Sequence, residues 1–341
     1  MRIAVLTGAH TFEIHEAPVP QIEPDQVLVK VAACGVCTSE LDMWDGSGHA
    51  AYPVFPGHEV SGIVDAVGEQ VTEFSVGDPV ATWVTTRGFA DYVSVKGEHC
   101  RAAGEVPLDL ALAEPLACAV NAVELAEVRL GDNVVIIGAG FMGNLVQLLV
   151  SMRGAHQVIV ADTRPDALDR AKTMGATRVV DVRTESLDDV VAELTESGAD
   201  LTFECTGTQA PLLDVGDVTR MSGKIALVGF HQGAPREIPL GLWNWKAFTL
   251  VNAHFRDVAT IMRGMTIGMR LLTSGALSLR PLVTHKFPLS RIDDAFRLAR
   301  EKPDGFVKAT IVMAAGGQSA EMGSPGARGG SPVAKSGVDG A

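Results

Sequence analysis

Asn133-Val-Val-Ile-Ile-Gly-Ala-Gly-Phe-Met-Gly143 is the stretch that decides the fold. Five strand-forming residues run into Gly138, Gly140 and Gly143, and an apolar helical segment follows. A strand feeding a G-x-G-x-x-G turn and then a helix is the pattern of a dinucleotide loop. In that reading Gly138 permits the tight turn, Gly140 lets the backbone approach a pyrophosphate, and Gly143 lets helix and strand pack closely. Phe141 and Met142 open the helix whose N-terminus receives the anion.

Working outward, the sequence alternates between β and α patterns. Strands are expected near 133–137, 157–161, 178–181, 200–204, 224–229 and 248–252, with helices at 141–153, 165–174, 186–197 and 209–220. Six strands in two βαβαβ halves make a doubly wound parallel (Rossmann) sheet. The second strand ends in Asp162, nineteen residues after Gly143. A carboxylate there accepts hydrogen bonds from adenosine ribose hydroxyls and repels a 2′-phosphate, which favours NAD over NADP. Arg164, two residues on, tempers that preference, and Thr206, just past the fourth strand, is placed to touch the same cofactor.

The first hundred residues have a different texture. Short β-type runs (Val27–Ala33, Val60–Val67, Pro79–Trp83, Ala90–Val95) are broken by Gly and Pro, as in an irregular, barrel-like β domain. Within them lie Cys37-Thr38-Ser39-Glu40 and, twenty-one residues after Cys37, Gly57-His58-Glu59; a further acid, Glu114, opens E-P-L-A-C-A-V-N-A. Cys37, His58 and either Glu59 or Glu114 offer the thiolate, imidazole and carboxylate that a catalytic zinc takes while keeping one position open. Zinc lowers the pKa of a hydroxyl bound to it, Ser39 can begin a proton relay, and Glu40 can hold the ring N–H of His58. Cys34-Gly-Val-Cys37 could instead be a redox dithiol or half of a structural zinc site, but no second C-x-x-C completes it. A metal-ligand set upstream of a dinucleotide loop points to an alcohol oxidised by metal-assisted hydride transfer.

The bulk composition fits and narrows this. The 341 residues are 47% hydrophobic and 20% charged, which suits a soluble chain of two domains. A net charge of −13 gives no footprint for nucleic acid or an anionic membrane. No apolar run reaches the roughly 18 residues of a membrane span. Strand-like sequence starts at Arg2 without a signal-peptide pattern, and five cysteines form no disulfide framework; a cytoplasmic location is expected.

Together the landmarks G-V-C-T-S-E, G-H-E, V-G-E-Q-V-T-E-F-S-V-G-D, E-P-L, G-A-G-F-M-G, E-C-T-G (204–207) and P-L-V-T-H-K-F-P-L (281–289) resemble the zinc-dependent medium-chain dehydrogenases, on their sorbitol (polyol) dehydrogenase branch. The resemblance covers roughly 1–313. It implies a GroES-like β-barrel catalytic domain (1–115 and 257–313, discontinuous) and a Rossmann NAD-binding domain (116–256), with 314–341 a disordered tail. It makes Cys37 and His58 zinc ligands, Glu59 and Glu114 ligand or water-holding carboxylates, and Ser39 the relay hydroxyl. A carboxylate at 114 looks like the branches that act on polyols, sugars and amino alcohols. Three departures qualify it. The four-cysteine lobe is missing after Asp78, so one catalytic zinc and no structural zinc is expected. Asp42 stands where many relatives place the histidine that finishes the relay, so the proton would leave through a carboxylate or water. Asn252-Ala-His-Phe-Arg256 replaces the segment that shapes the sorbitol pocket. The expected activity is hydride transfer between NAD(H) and a secondary alcohol or ketone of a small polyol, cyclitol or sugar. A threonine-type amino-alcohol dehydrogenase and a non-catalytic relative are the alternatives. An apolar sixth strand at a sheet edge implies a homodimer or homotetramer.

Overall fold

β-branched runs separated by Gly and Pro favour extended structure, and the first hundred residues form seven strands. The computed structural model describes residues 1–48 and 50–313. These strands are β1 (Arg2–Gly8), β2 (Thr11–Glu16), β3 (Gln26–Gly35), β4 (Glu59–Val67), β5 (Pro79–Trp83), β6 (Tyr92–Lys96) and β7 (Cys100–Ala102), with a one-turn helix α1 (Leu41–Trp44) after β3. β3 is the hub. One edge pairs with β4 from Val27↔Val67 to Gly35↔Glu59; the other takes β6 over residues 26–30.

The second half begins with α2 (Ala113–Ala126) and continues β8 (Asn133–Ile137), α3 (Phe141–Met152), β9 (Gln157–Asp162), α4 (Pro165–Thr173), β10 (Arg178–Asp181), α5 (Leu187–Leu194), β11 (Ala199–Glu204), α6 (Pro211–Val218), β12 (Thr219–Leu227), α7 (Leu240–Trp245) and β13 (Thr249–Asn252). The sheet order is β10-β9-β8-β11-β12-β13, all parallel, which is the doubly wound Rossmann arrangement. Strand order reverses between β8 and β11, so the loops after both open the crevice where such sheets bind ligands. The chain then returns through α8 (Val258–Thr273), β14 (Val283–Pro288), α9 (Ile292–Glu301) and β15 (Lys308–Val312). β15 joins the free end of β3, Thr310 opposite Gly35, and so extends the N-terminal sheet.

Several boundaries differ from the sequence expectation for identifiable reasons. α5 stops at Leu194 because the Thr195 hydroxyl turns back onto the Val191 carbonyl (2.7 Å) and Gly198 takes φ +103°. β12 starts at Thr219, five residues early, with Ser222 in the left-handed region. The expected domain boundary at 115/116 falls inside α2. That helix is apolar nearly all round, so it shows no amphipathic period to read; Leu116 and Ala122 are wholly buried. Close packing against α8 explains this: a Cβ at Gly264 would meet the Asn121 side chain at 2.6 Å, and one at Gly268 would meet Leu116 at 2.7 Å. Met262, Met265 and Met269 of α8 are core residues, each such burial contributing ~1.5–3 kcal/mol. No described helix is long and apolar enough to cross a membrane. The expected disordered tail, 314–341, lies outside the described residues.

Candidate active site

Cys37 follows β3 and caps a short 3-10 turn, Thr38–Glu40, which throws Ser39 and Glu40 to different partners. The Ser39 hydroxyl donates to Cys37 Sγ at 3.2 Å. Glu40 is buried, and its Oε1 accepts the Gly57 N–H at 2.6 Å and pairs with His58 Nδ1 at 2.9 Å. That contact is the one expected from sequence, and it leaves Nε2 of His58 as the ring atom available to a metal. Glu59, the first residue of β4, is fully buried; its Oε1 accepts from Lys308 Nζ at 2.5 Å while Oε2 has no partner. Cys37, His58 and Glu59 each offer a donor atom within 4.8 Å of the other two. Among the described residues this is the one grouping able to hold a metal ion.

Glu114, in the first turn of α2, stands outside that close trio but faces the same cavity, where Cys118 Sγ donates to its Oε1 at 3.7 Å. Burial raises the Glu114 carboxyl pKa, and Glu59 adds to the rise while His58 and Lys308 oppose it. Burial works against a charged His58, yet Glu40 and Cys37 outweigh it and hold the imidazole pKa well above its ordinary value. Three carboxyl groups (Glu40, Glu59, Glu114) thus share one cavity with a single buried ammonium, Lys308. A soft-to-borderline dication with one thiolate, one imidazole and carboxylate ligands fits that donor set and that charge surplus.

The glycine loop opens onto the same cavity, about 790 Å³, lined by Cys37, His58 and Glu114 on one side and Gly140, Phe141, Met142, Arg164 and Thr206 on the other. Gly138 has φ +105°, and a Cβ there would strike Thr206 of the neighbouring loop at 2.8 Å. A Cβ at Gly143 would lie 1.8 Å from the Gly138 carbonyl, whereas Gly140 has nothing within 4 Å, leaving its backbone open. Lys308 Nζ, 4.8 Å over the Phe141 ring, joins the two halves of the site. Asp162 is not on the cavity wall. Its Oδ2 accepts the Ala139 N–H at 2.7 Å, and its Oδ1 accepts the Arg164 N–H at 2.9 Å.

Of the two exits the sequence leaves for the relayed proton, a carboxylate at Asp42 or water, the first is not on the cavity wall: the Asp42 carboxylate accepts from Arg300 Nη2 of α9 at 2.8 Å. α1 is one turn long and presents Asp42 and Asp45 together to that guanidinium, which holds both. Trp44 and Tyr52, aromatic residues close after Cys37 in sequence, do not line the cavity: Trp44 is buried with Nε1 donating to Asp293 (2.9 Å), and the Tyr52 hydroxyl donates to the Met43 carbonyl (2.6 Å). His254 and Arg256 do line the cavity. Sequence reasoning missed Lys308 and Glu204. Glu204, wholly buried at the end of β11, accepts the Thr206 and Gly207 N–H groups (2.6 and 3.0 Å) and pairs with His231 Nε2 (2.9 Å), fixing the loop that carries Thr206. The signal for Lys308 was a lone charge in the otherwise uncharged run Val307–Met313.

Comparison with known proteins agrees with this geometry. Residues 23–107 match the family model "Alcohol dehydrogenase GroES-like domain", and 142–268 match "Zinc-binding dehydrogenase". A sorbitol dehydrogenase of Bombyx mori is 30% identical over 335 residues, 87% of this chain and 94% of that protein. A sorbitol dehydrogenase of Arabidopsis thaliana is 30% identical, covering 86% and 90%. The structure of galactitol-1-phosphate dehydrogenase from Escherichia coli superimposes with a TM-score of 0.79 at 27% identity, over 92% of this chain and 100% of that one. The GroES-like sheet, the Rossmann sheet and the ligand set between them therefore place this chain in the zinc-dependent medium-chain dehydrogenase family, among its sorbitol-dehydrogenase-like members.

Proposed function

We propose that the chain interconverts a secondary alcohol of a small polyol, cyclitol or sugar with its ketone, using one catalytic zinc and NAD(H). The observation that carries this is the shared cavity: the Cys37–His58–Glu59 donors and the dinucleotide loop open onto one space. Cys37 and His58 hold the metal, with Glu59 as the third donor and Glu114 across the cavity as its alternate or as the holder of a water. Zinc supplies Lewis acidity to the substrate hydroxyl, and nicotinamide supplies the hydride acceptor. Ser39 Oγ takes the hydroxyl proton and, with Asp42 turned to Arg300, passes it to water in the cleft. Glu40 fixes the ring of His58, and Lys308 fixes Glu59. Glu204 holds Thr206 against the cofactor. The protein's part is positioning of hydride donor and acceptor.

The catalytic unit takes in 1–115 and 257–313, and the cofactor unit lies between. The missing cysteine lobe supports a single zinc. β13 is an open sheet edge with Leu250 half exposed, and Trp245 just before it is exposed, which supports self-association into a homodimer or homotetramer. Arg256 lines the cavity with no acid paired to it among the described residues, and this favours a threonine-type amino-alcohol substrate as the second reading. NADH formation with zinc-loaded protein against polyols, inositols, aminocyclitols, aldoses and threonine tests both. Turnover confined to threonine would select the second reading, and silence with every class would overturn both.

A further inference from the structure

We propose that Gln232 is a positioning residue for the reaction: it ties the backbone that carries Ser39 to the loops that seat the dinucleotide, so that proton acceptor and hydride acceptor are held in one register. This rests on the dehydrogenase reading of the cavity and deepens it. Gln232, half-buried in the loop after β12, donates from Nε2 to the Ser39 carbonyl at 3.3 Å. Among the described residues this is the one hydrogen bond between the 229–237 loop and the Cys37–Glu40 turn.

The loop's remaining bonds to other segments run to the dinucleotide side. The Gly229 N–H donates to the Glu204 carbonyl (2.8 Å), and His231 Nε2 pairs with the Glu204 carboxylate (2.9 Å). That same carboxylate accepts the Thr206 and Gly207 N–H groups. Arg236 Nη2 donates to the Gln232 carbonyl (2.8 Å) and to the Gly207 carbonyl (3.4 Å). Gln209 and Glu237 exchange two more bonds, from Nε2 to the Glu237 carbonyl (2.8 Å) and from the Glu237 N–H to Oε1 (2.9 Å). The two backbones also touch: a Cβ at Gly229 would lie 2.2 Å from the Gly207 nitrogen. Loops 204–209 and 229–237 are therefore one body. Thr206, Gly229 and Phe230 present it to the cavity, and Gln232 is its tie to the turn that bears Ser39. A dinucleotide seated against that wall stiffens the body, and Gln232 passes the restriction to the Ser39 turn. Ser39 Oγ needs such a brace, because a proton acceptor displaced by a fraction of an ångström loses rate steeply.

The test is hydrogen exchange of the zinc-loaded chain with and without NADH, followed by turnover in H2O and D2O. In wild type NADH should slow exchange of the amides in 37–45. Gln232→Ala should lose that slowing while zinc content is unchanged and NADH affinity, by fluorescence titration, moves less than about two-fold. Its kcat should fall by roughly ten-fold, the upper end for one neutral hydrogen bond. The solvent isotope effect on kcat should rise as proton transfer becomes the slow step. Gln232→Lys keeps an N–H donor at similar reach and should restore both, whereas Gln232→Glu keeps the shape without the donor and should not. NADH that binds wild type without slowing exchange in 37–45 would overturn the tie and leave the dinucleotide site standing. A loss of kcat in Gln232→Ala with an unchanged isotope effect would reduce Gln232 to a packing contact and also overturn it. NADH that fails to bind wild type would remove the dinucleotide reading together with the tie.

Discussion

Replacing Lys308 with Met keeps the length of the side chain and removes its charge. Glu59 is fully buried, its Oε2 is unpartnered, and its Oε1 relies on Lys308 Nζ at 2.5 Å. Without the ammonium, the carboxylate becomes an unpaired buried charge, a loss of ~3–5 kcal/mol. At ~2–4 °C per kcal/mol this lowers the melting midpoint of metal-free protein by roughly 6–20 °C. The zinc-loaded variant should lose roughly half of that or less, because the freed carboxylate can turn its charge to the cation. By linkage, the variant must then bind zinc more tightly than wild type. Thermal unfolding, with chelator and with excess zinc, reads both midpoints. Equal loss in the two conditions, or weaker zinc binding, would refute the idea that Lys308 neutralises Glu59 in competition with the metal.

Ser39→Ala should retain zinc, measured as bound metal, yet lower kcat by about 10²-fold or more, the usual contribution of a positioned proton acceptor; unchanged turnover would exclude Ser39 from the proton path. Gly143→Ala forces a Cβ within 1.8 Å of the Gly138 carbonyl, so dinucleotide binding should fall below detection by fluorescence titration while zinc content is unaffected. Leu250→Glu places a charge on the open edge of β13 and should convert the proposed oligomer to monomer in light scattering; an unaltered mass would contradict an interface on that edge.

The Rossmann half was legible because its signals are local. Asn133–Gly143 reads as strand, turn and helix from eleven consecutive residues, and β8 and β10 fall where the apolar runs place them. The Glu40–His58 contact was legible for a similar reason: a carboxylate three residues after Cys37 had few other neighbours able to receive an imidazole N–H. What escaped depended on long-range packing. α2 carries little helical period because most of its surface is covered, chiefly by α8, α3 and the N-terminal sheet, so burial blurred the pattern that marks a helix. Lys308 reaches Glu59 only because β15 pairs with β3 from 275 residues away, Thr310 opposite Gly35. Asp42 was assigned by its offset from Cys37; the rotation of a single helical turn and the presence of Arg300 on α9 decided otherwise. Motif spacing identifies which chemical groups are available, and tertiary packing decides which of them face the cavity.

The most direct measurement is NAD⁺ reduction by the zinc-loaded chain with a polyol or cyclitol, repeated after chelation, after zinc is restored, and with Cys37→Ala. The account predicts about one zinc per chain, turnover that disappears with the metal and returns with it, and a Cys37→Ala protein that neither holds zinc nor turns over. Turnover that survives chelation, or a Cys37→Ala protein that keeps its activity, would contradict a metal centre built on Cys37, His58 and Glu59.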